Sequence, residues 1–249
     1  MHHSTASLWG SWQLSPEVLI PVIALIYWVF RGPSLTKAQK VFLLAGAASI
    51  LTVVNTPIGA RASDYFTLHM IQHVTLMMIT GPLLVLGTPS SFSPKNKLFT
   101  FLTHPIFSWV TYAALMIGVH LPPIHNFIMY HSWAHDYLEV PLYIAIPYLF
   151  YFNLLQRREF KSRISPAMAV ISLFLMMVPE TLTGFFIYAS PHSLYDGMYT
   201  MTDQQRGGSF MWAGSMIIDA LWMGMAVHHW IKSEERKAIE IDKEIAAGR

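Results

Sequence analysis

Cysteine is absent from the 249 residues. Its absence excludes a disulfide framework, a thiolate zinc site, a redox CxxC pair and a cysteine nucleophile. Charge is scarce too: Asp, Glu, Lys and Arg make up 12% of the chain, and the formal net charge is +2. So small a basic excess, with no basic run interleaved with aromatics, excludes a nucleic-acid surface. Gly-rich phosphate loops, HExxH and GxSxG are also missing. Nucleotide hydrolysis, zincin chemistry and elbow-type serine hydrolysis therefore have no support. The start, Met1-His2-His3-Ser4, lacks the basic and apolar regions of a cleavable signal peptide, so the first span is expected to target the chain itself.

What the chain does contain is apolar. Hydrophobic residues are 53% of the total and mean hydropathy is +0.41, too apolar for an ordinary soluble domain. The expectation is an all-α, polytopic membrane protein forming one domain over residues 1–249. Seven stretches are long enough, or nearly so, to cross a hydrocarbon core of about 30 Å. They run over about 16–30, 41–56, 66–86, 98–119, 138–155, 167–188 and 210–231, the first being the shortest. Residues 232–249 mix both charge signs and read as a solvated helical tail.

Loop charges sort these spans. Arg31, Lys37 and Lys40 follow the first, Lys95 and Lys97 the third, Arg157, Arg158, Lys161 and Arg163 the fifth, and Lys232, Arg236 and Lys237 the seventh. The positive-inside rule then puts these loops in the cytoplasm, the amino terminus outside and the carboxyl terminus inside. On that topology nine of the twelve histidines gather at the outer face, while His104, His228 and His229 fall at the inner one.

Two pairs carry the same spacing. His69 and His73 stand four apart at the mouth of the third span, and His131 and His135 four apart just before the fifth. On a helix that spacing puts both imidazoles on one face, about 5–6 Å apart at Cβ. Met77 continues the first stripe by one turn, adding a soft thioether, and 15 methionines with 12 histidines suit copper. The plainer reading is that a histidine at a membrane helix end is interfacial or hydrogen-bonded, and that methionine fills core gaps. Two identical pairs favour the ligand reading, because ionisable groups at membrane depth are costly and mark function. His2 and His3 beside a free amine could hold Cu(II), or belong to a tag.

Two carboxylates fall inside spans: Glu180 beside Pro179 in the sixth, and Asp219 near the middle of the seventh. Each needs a partner or a proton in lipid. Either an ion or proton path, or bonds across the bundle to Ser, Thr or Asn55, would satisfy them. The stretch Asp203 to Gly208 opens the seventh span, with a Gly pair suited to close helix packing and a polar head able to orient the histidine shell.

The chain resembles the multi-spanning CtaG-type cytochrome c oxidase assembly factors. The resemblance rests on His69-Met70-Ile71-Gln72-His73 followed by Gly81-Pro82 through Thr88-Pro89, on His120-Leu121-Pro122-Pro123, on His131 and His135, and on Asp203-Gln204-Gln205-Arg206-Gly207-Gly208 leading to Met211-Trp212. It implies a seven-span protein of the inner (plasma) membrane that helps assemble haem-copper oxidase by handling copper at the outer side. The implied ligands are His69, His73, His120, His131 and His135, with Asp203 and Gln204 as support; Met77 and Glu180 are candidate support from the residues themselves, outside the resemblance. His125, the terminal pair and the methionine stripe are not part of the pattern. The implied partners are the bilayer, an oxidase subunit and an extracytoplasmic copper carrier.

Two other functions compete with this non-enzymatic reading. A di-metal membrane hydroxylase also uses HxxxH pairs and an adjacent pair such as His228-His229, although the loop charges put that pair opposite the others. A transporter would use Glu180 and Asp219. A haem protein with axial histidines is a further reading, decided by an absorption spectrum.

Overall fold

The computed structural model describes residues 10–32, 35–89, 92, 96–155 and 164–247. Among them the regular structure is helical, with no strand. His2, His3, Lys95, Arg157, Arg158, Lys161 and Arg163 lie outside the described residues. The helices are α1 (Pro16–Arg31), α2 (Lys37–Ala60), α3 (Phe66–Gly87), α4 (Lys97–Leu102), α5 (Pro105–Gly118), α6 (Pro122–Tyr130), α7 (Ser132–Leu155), α8 (Pro166–Ala189) and α9 (Met201–Ala246).

Local chemistry sets these boundaries. Pro16, Pro105, Pro122 and Pro166 occupy first helical turns, where a missing N–H leaves nothing unbonded. Thr36 and Gln39 start α2 with reciprocal bonds: Gln39 N–H donates to Thr36 Oγ1 at 3.2 Å and Thr36 N–H to Gln39 Oε1 at 3.0 Å.

Five helices, α2, α3, α7, α8 and α9, are long and apolar enough to cross a membrane. The stretch expected to cross over 98–119 is not one helix. Pro105 cannot donate into a continuing ladder, and the chain breaks at Thr103 and His104 between α4 and α5. The 14 residues of α5 rise about 21 Å, and α5 then bends by 76° into α6. Counted as one broken span, that pair brings the total to six. With 16 residues α1 rises about 24 Å, less than the core thickness. The fifth expected span starts earlier than 138, at Ser132, so His135 lies inside α7 rather than in the loop above it. The seventh is part of one helix running to Ala246, whose last turns are exposed.

Helix α3 is the centre of the bundle, packed on α2, α7 and α9, while α8 closes the far side on α5 and α9. Its membrane-length window is 67% buried inside the protein, against 28% for α8 and 17% for α9. The outer helices sort by helical period. On α8, Ala169, Leu173, Met176, Glu180, Gly184 and Ile187 face inward, and Phe174, Leu175, Val178 and Leu182 face outward. Lipid is as apolar as these side chains, so close packing must hold the helices together. At the α8–α9 crossing, a Cβ on Gly208 would stand 2.6 Å from Tyr188 N, and one on Gly207 would collide with the Phe66 ring of α3.

Three turns are wound as π-helix: Thr75–Thr80 in α3, His135–Glu139 in α7 and Phe210–Gly214 in α9. Such turns carry one surplus residue and recur at functional sites. The first has a visible cause. Pro82 offers no N–H to the preceding turn, and the Met78 carbonyl accepts instead from Trp222 Nε1 of α9 at 2.8 Å.

Candidate metal centre

The first two turns of α3 place His69 and His73 on the face turned toward α7, where they are 0% and 2% exposed. Their ring centroids are 4.0 Å apart. His120, in the bend between α5 and α6, brings its ring 5.4 Å from that of His73. His125 of α6 and His135 of α7 stand 5.1 Å and 6.0 Å from His69. Five imidazoles from four segments of chain therefore meet in one buried space.

Glu139, a turn below His135 on α7, sits among them at 1% exposure. Its Oε1 lies 3.4 Å from His73 Nε2 and 3.8 Å from His69 Nε2, and its Oε2 lies 3.9 Å from His135 Nε2. Tyr143 Oη fixes the carboxylate from the next turn, donating to Oε1 at 2.7 Å. His69, His135 and Glu139 offer ligand atoms that all lie within 4.8 Å of one another.

The hydrogen bonds sort ligand nitrogens from orienting ones. His120 Nδ1 meets the Met116 carbonyl at 2.5 Å. A carbonyl can only accept, so Nδ1 carries the proton and Nε2 keeps its lone pair. His135 is held by Asp136 Oδ1 at 2.7 Å on Nδ1 and by Gln72 Oε1 at 3.1 Å on Nε2. Gln72 is in turn tied to the Val53 carbonyl of α2 at 3.1 Å. Both nitrogens of His69 and of His73, His120 Nε2, His125 Nδ1 and Glu139 Oε2 are buried without a hydrogen-bond partner. Buried polar atoms are ordinarily paired. Four neighbouring rings, each with at least one such nitrogen and each able to offer one of them, beside a carboxylate oxygen are a donor set that fits a bound cation.

The remaining predicted residues fall elsewhere. His131 is exposed, its Nδ1 meets the Phe127 carbonyl at 2.8 Å, and its ring lies against Phe127 and Trp133. It does not join the cluster. Met77 is fully buried in the π-turn after His73. Asp203 caps α3: its carboxylate accepts from Phe66 N at 2.6 Å, Thr67 N at 3.2 Å and Thr67 Oγ1 at 2.6 Å. A carboxylate there satisfies the free donors and complements the helix dipole, which fixes the turn carrying His69. Gln204 holds the segment after α8, accepting from Leu194 N at 2.8 Å and donating to the His192 carbonyl at 3.2 Å. That segment carries Tyr199, whose hydroxyl meets His125 Nε2 at 3.0 Å. Burial pushes the Tyr199 phenol up, so it stays protonated. Glu180 is apart from the histidines and faces Asp219. His228 and His229 lie about 30 Å along α9 from Gly207, at 1.5 Å per residue, so the adjacent pair a di-metal hydroxylase would add is not at the cluster.

Sequence reasoning missed Glu139 and left His125 unassigned. Glu139 has a signal in hindsight: it stands four residues after His135, the same spacing that singled out the pairs.

Comparison with known proteins adds a family. The profile described as cytochrome c oxidase caa3 assembly factor (Caa3_CtaG) matches residues 22–233. Curated relatives include uncharacterized proteins from Mycobacterium bovis and Mycobacterium tuberculosis, each 24% identical over 247 residues, and one from Mycobacterium leprae, 19% identical over 245. The matches cover 85–86% of this chain but 37% of each relative, so the chain spans little more than a third of their length. No solved structure matches it.

Proposed function

The chain belongs to the cytochrome c oxidase caa3 assembly factor family, and from that premise we propose that it takes copper as cargo and passes it to an oxidase subunit. The observation that carries this reading is the set of partnerless buried nitrogens on His69, His73, His120 and His125, gathered around Glu139. Neutral imidazole nitrogen suits either copper state. Ring nitrogens held from behind, as His120 is by the Met116 carbonyl, keep their lone pairs aimed inward.

In this reading the ligands come from His69, His73, His120 and His125, with Glu139 as the one anionic donor, and His135 joins by exchanging its bond to Gln72 for the metal. Met77 is a candidate thioether further along α3. The chain crosses the inner membrane seven times, counting α1 and the α5–α6 pair, with the amino terminus outside. The cluster then faces the extracytoplasmic side, where a copper carrier can load it and an oxidase subunit can unload it. The chemistry asked of the protein is ligand exchange rather than catalysis.

The test is metal analysis of the purified, detergent-solubilised protein beside His69→Ala/His73→Ala, after growth with copper, zinc and iron, followed by competition titration with Cu(I). Copper held by the wild type and lost from the double variant supports the site. Equal copper in both proteins removes it, and iron in place of copper favours the hydroxylase reading.

A further inference from the structure

A second buried polar centre lies away from the histidines. Glu180 of α8 and Asp219 of α9 are 1% and 4% exposed. Each lies on the inward stripe of its helix, with Met176 and Gly184 flanking Glu180 and Ser215 one turn before Asp219. The α8–α9 crossing sets Gly208 on Tyr188 and Gly184 on Trp212, an antiparallel register that brings Glu180, one turn further on, level with Ser215 to Asp219, and the two carboxyls lie within electrostatic reach of each other. Neither oxygen of Glu180 has a hydrogen-bond partner, and Asp219 Oδ2 has none.

Two further oxygens are turned toward the pair. The phenols of Tyr112 on α5 and Tyr151 on α7, each 1% exposed, lie within electrostatic reach of both carboxyls, and their rings meet edge to face with centroids 6.4 Å apart. Four helices thus contribute carboxyl or phenol oxygens. Among the described residues each acid acts on the other and both act on the two phenols, and no Lys, Arg or His is paired with either acid. Two carboxylates buried together without a cation cannot both stay ionised. Oxygen donors are also a poor match for Cu(I), so this centre is chemically separate from the histidine cluster.

We propose that Glu180 and Asp219 form a proton-binding site in the middle of the bundle, retaining one proton between two facing carboxyl groups at neutral pH. A cleft between α7, α8 and α9 leads toward it, ending at Ala220 beside Asp219. That cleft is lined by Leu173 and Ala220 at its inner end, and by His228, Lys232 and Arg236 further along α9. In this proposal the cleft is the route of proton exchange, at the end of the bundle remote from the histidine cluster of α3, α6 and α7.

Infrared difference spectra of the full-length protein at neutral pH test this. The expected result is a protonated-carboxyl C=O band that shifts in deuterium oxide and is lost in Glu180→Gln/Asp219→Asn. In Tyr112→Phe, which keeps both acids, the band should move without disappearing. Absence of the band from the wild type overturns the proposal, as does a band unchanged in all these variants. Should the double variant fail to fold, the Asp219→Asn single variant must still move the band. Loss of the wild-type band in proportion to added Mn(II) would make this a hard-cation site and would equally overturn it.

Discussion

His73 Nε2 stands 3.4 Å from Glu139 Oε1, and behind that oxygen the Tyr143 hydroxyl donates at 2.7 Å. A carboxylate fixed from one side faces ring nitrogens on the other, with no Lys or Arg among the described residues paired to it. Replacing Glu139 by Gln keeps the volume and removes the charge. The expected result is copper affinity lower by roughly 10–100-fold, the usual size of an orienting or charge-supplying contact, with Tyr143→Phe weaker in the same direction. Competition titration with a Cu(I) chelator measures both, and equal affinity in Glu139→Gln and wild type would remove the carboxylate from the site.

His120 and His131 flank α6 and carry the same bond from Nδ1 to a carbonyl, yet one is buried in the cluster and the other is exposed. Copper affinity is expected to fall at least about tenfold in His120→Ala and to stay at the wild-type value in His131→Ala. The reverse order would show that the bend between α5 and α6 rearranges when copper arrives.

Bound copper should stabilise the fold by mass action. At a free concentration 100 times Kd the gain is about 2.7 kcal/mol, seen as a rise in Tm that depends on copper concentration. His69→Ala/His73→Ala should show no such rise. A variant that still gains Tm with copper binds it somewhere else.

Asp203 acts at a distance from the metal. Its removal in Asp203→Ala strips three hydrogen bonds from the start of α3, and loss of such a cap costs about 0.5–2 kcal/mol. A lower Tm is expected both with and without copper, with Asp203→Asn intermediate. An unchanged Tm would mean that α3 is held by its packing alone.

Gly208 tests the close crossing of α8 and α9. The added methyl of Gly208→Ala would press on the backbone of Tyr188, which cannot yield as a side chain can. Overpacking of this kind costs about 1–3 kcal/mol. Thermal unfolding followed by circular dichroism reads it directly, and Gly118→Ala, where nothing lies near, serves as the neutral comparison.

How much of this was legible beforehand differs from residue to residue. The spacing of His69 and His73 placed both on one face of a helix, and the structure puts them there. His131 and His135 shared that spacing, but the chain is not helical at His131, and π-winding begins at His135, so the two rings diverge. Glu139 drew no notice because hydropathy alone starts the fifth span at about 138, which leaves His135 outside the helix that carries both. The meeting of Glu180 and Asp219 depends on which helices pack together, which the period of a single helix does not record. Pro105 breaks the run ahead of α5, but hydropathy alone reads the apolar residues over 98–119 as one span.

The π-turn at Thr75–Thr80 fixes the angular phase between the two halves of α3. Removing one residue from it would restore an ordinary α-helix and turn the upper half by about 100° relative to the half that begins at Gly81 and Pro82. Gly81 is locked against Pro147 of α7, where an added Cβ would come within 2.9 Å of the proline ring, so the rotation would fall on the upper half. His69 and His73 would then swing off the face shared with Glu139. A single surplus residue thus sets the compass bearing of the histidines, and the hydrogen bond from Trp222 to the Met78 carbonyl is the pin that holds it.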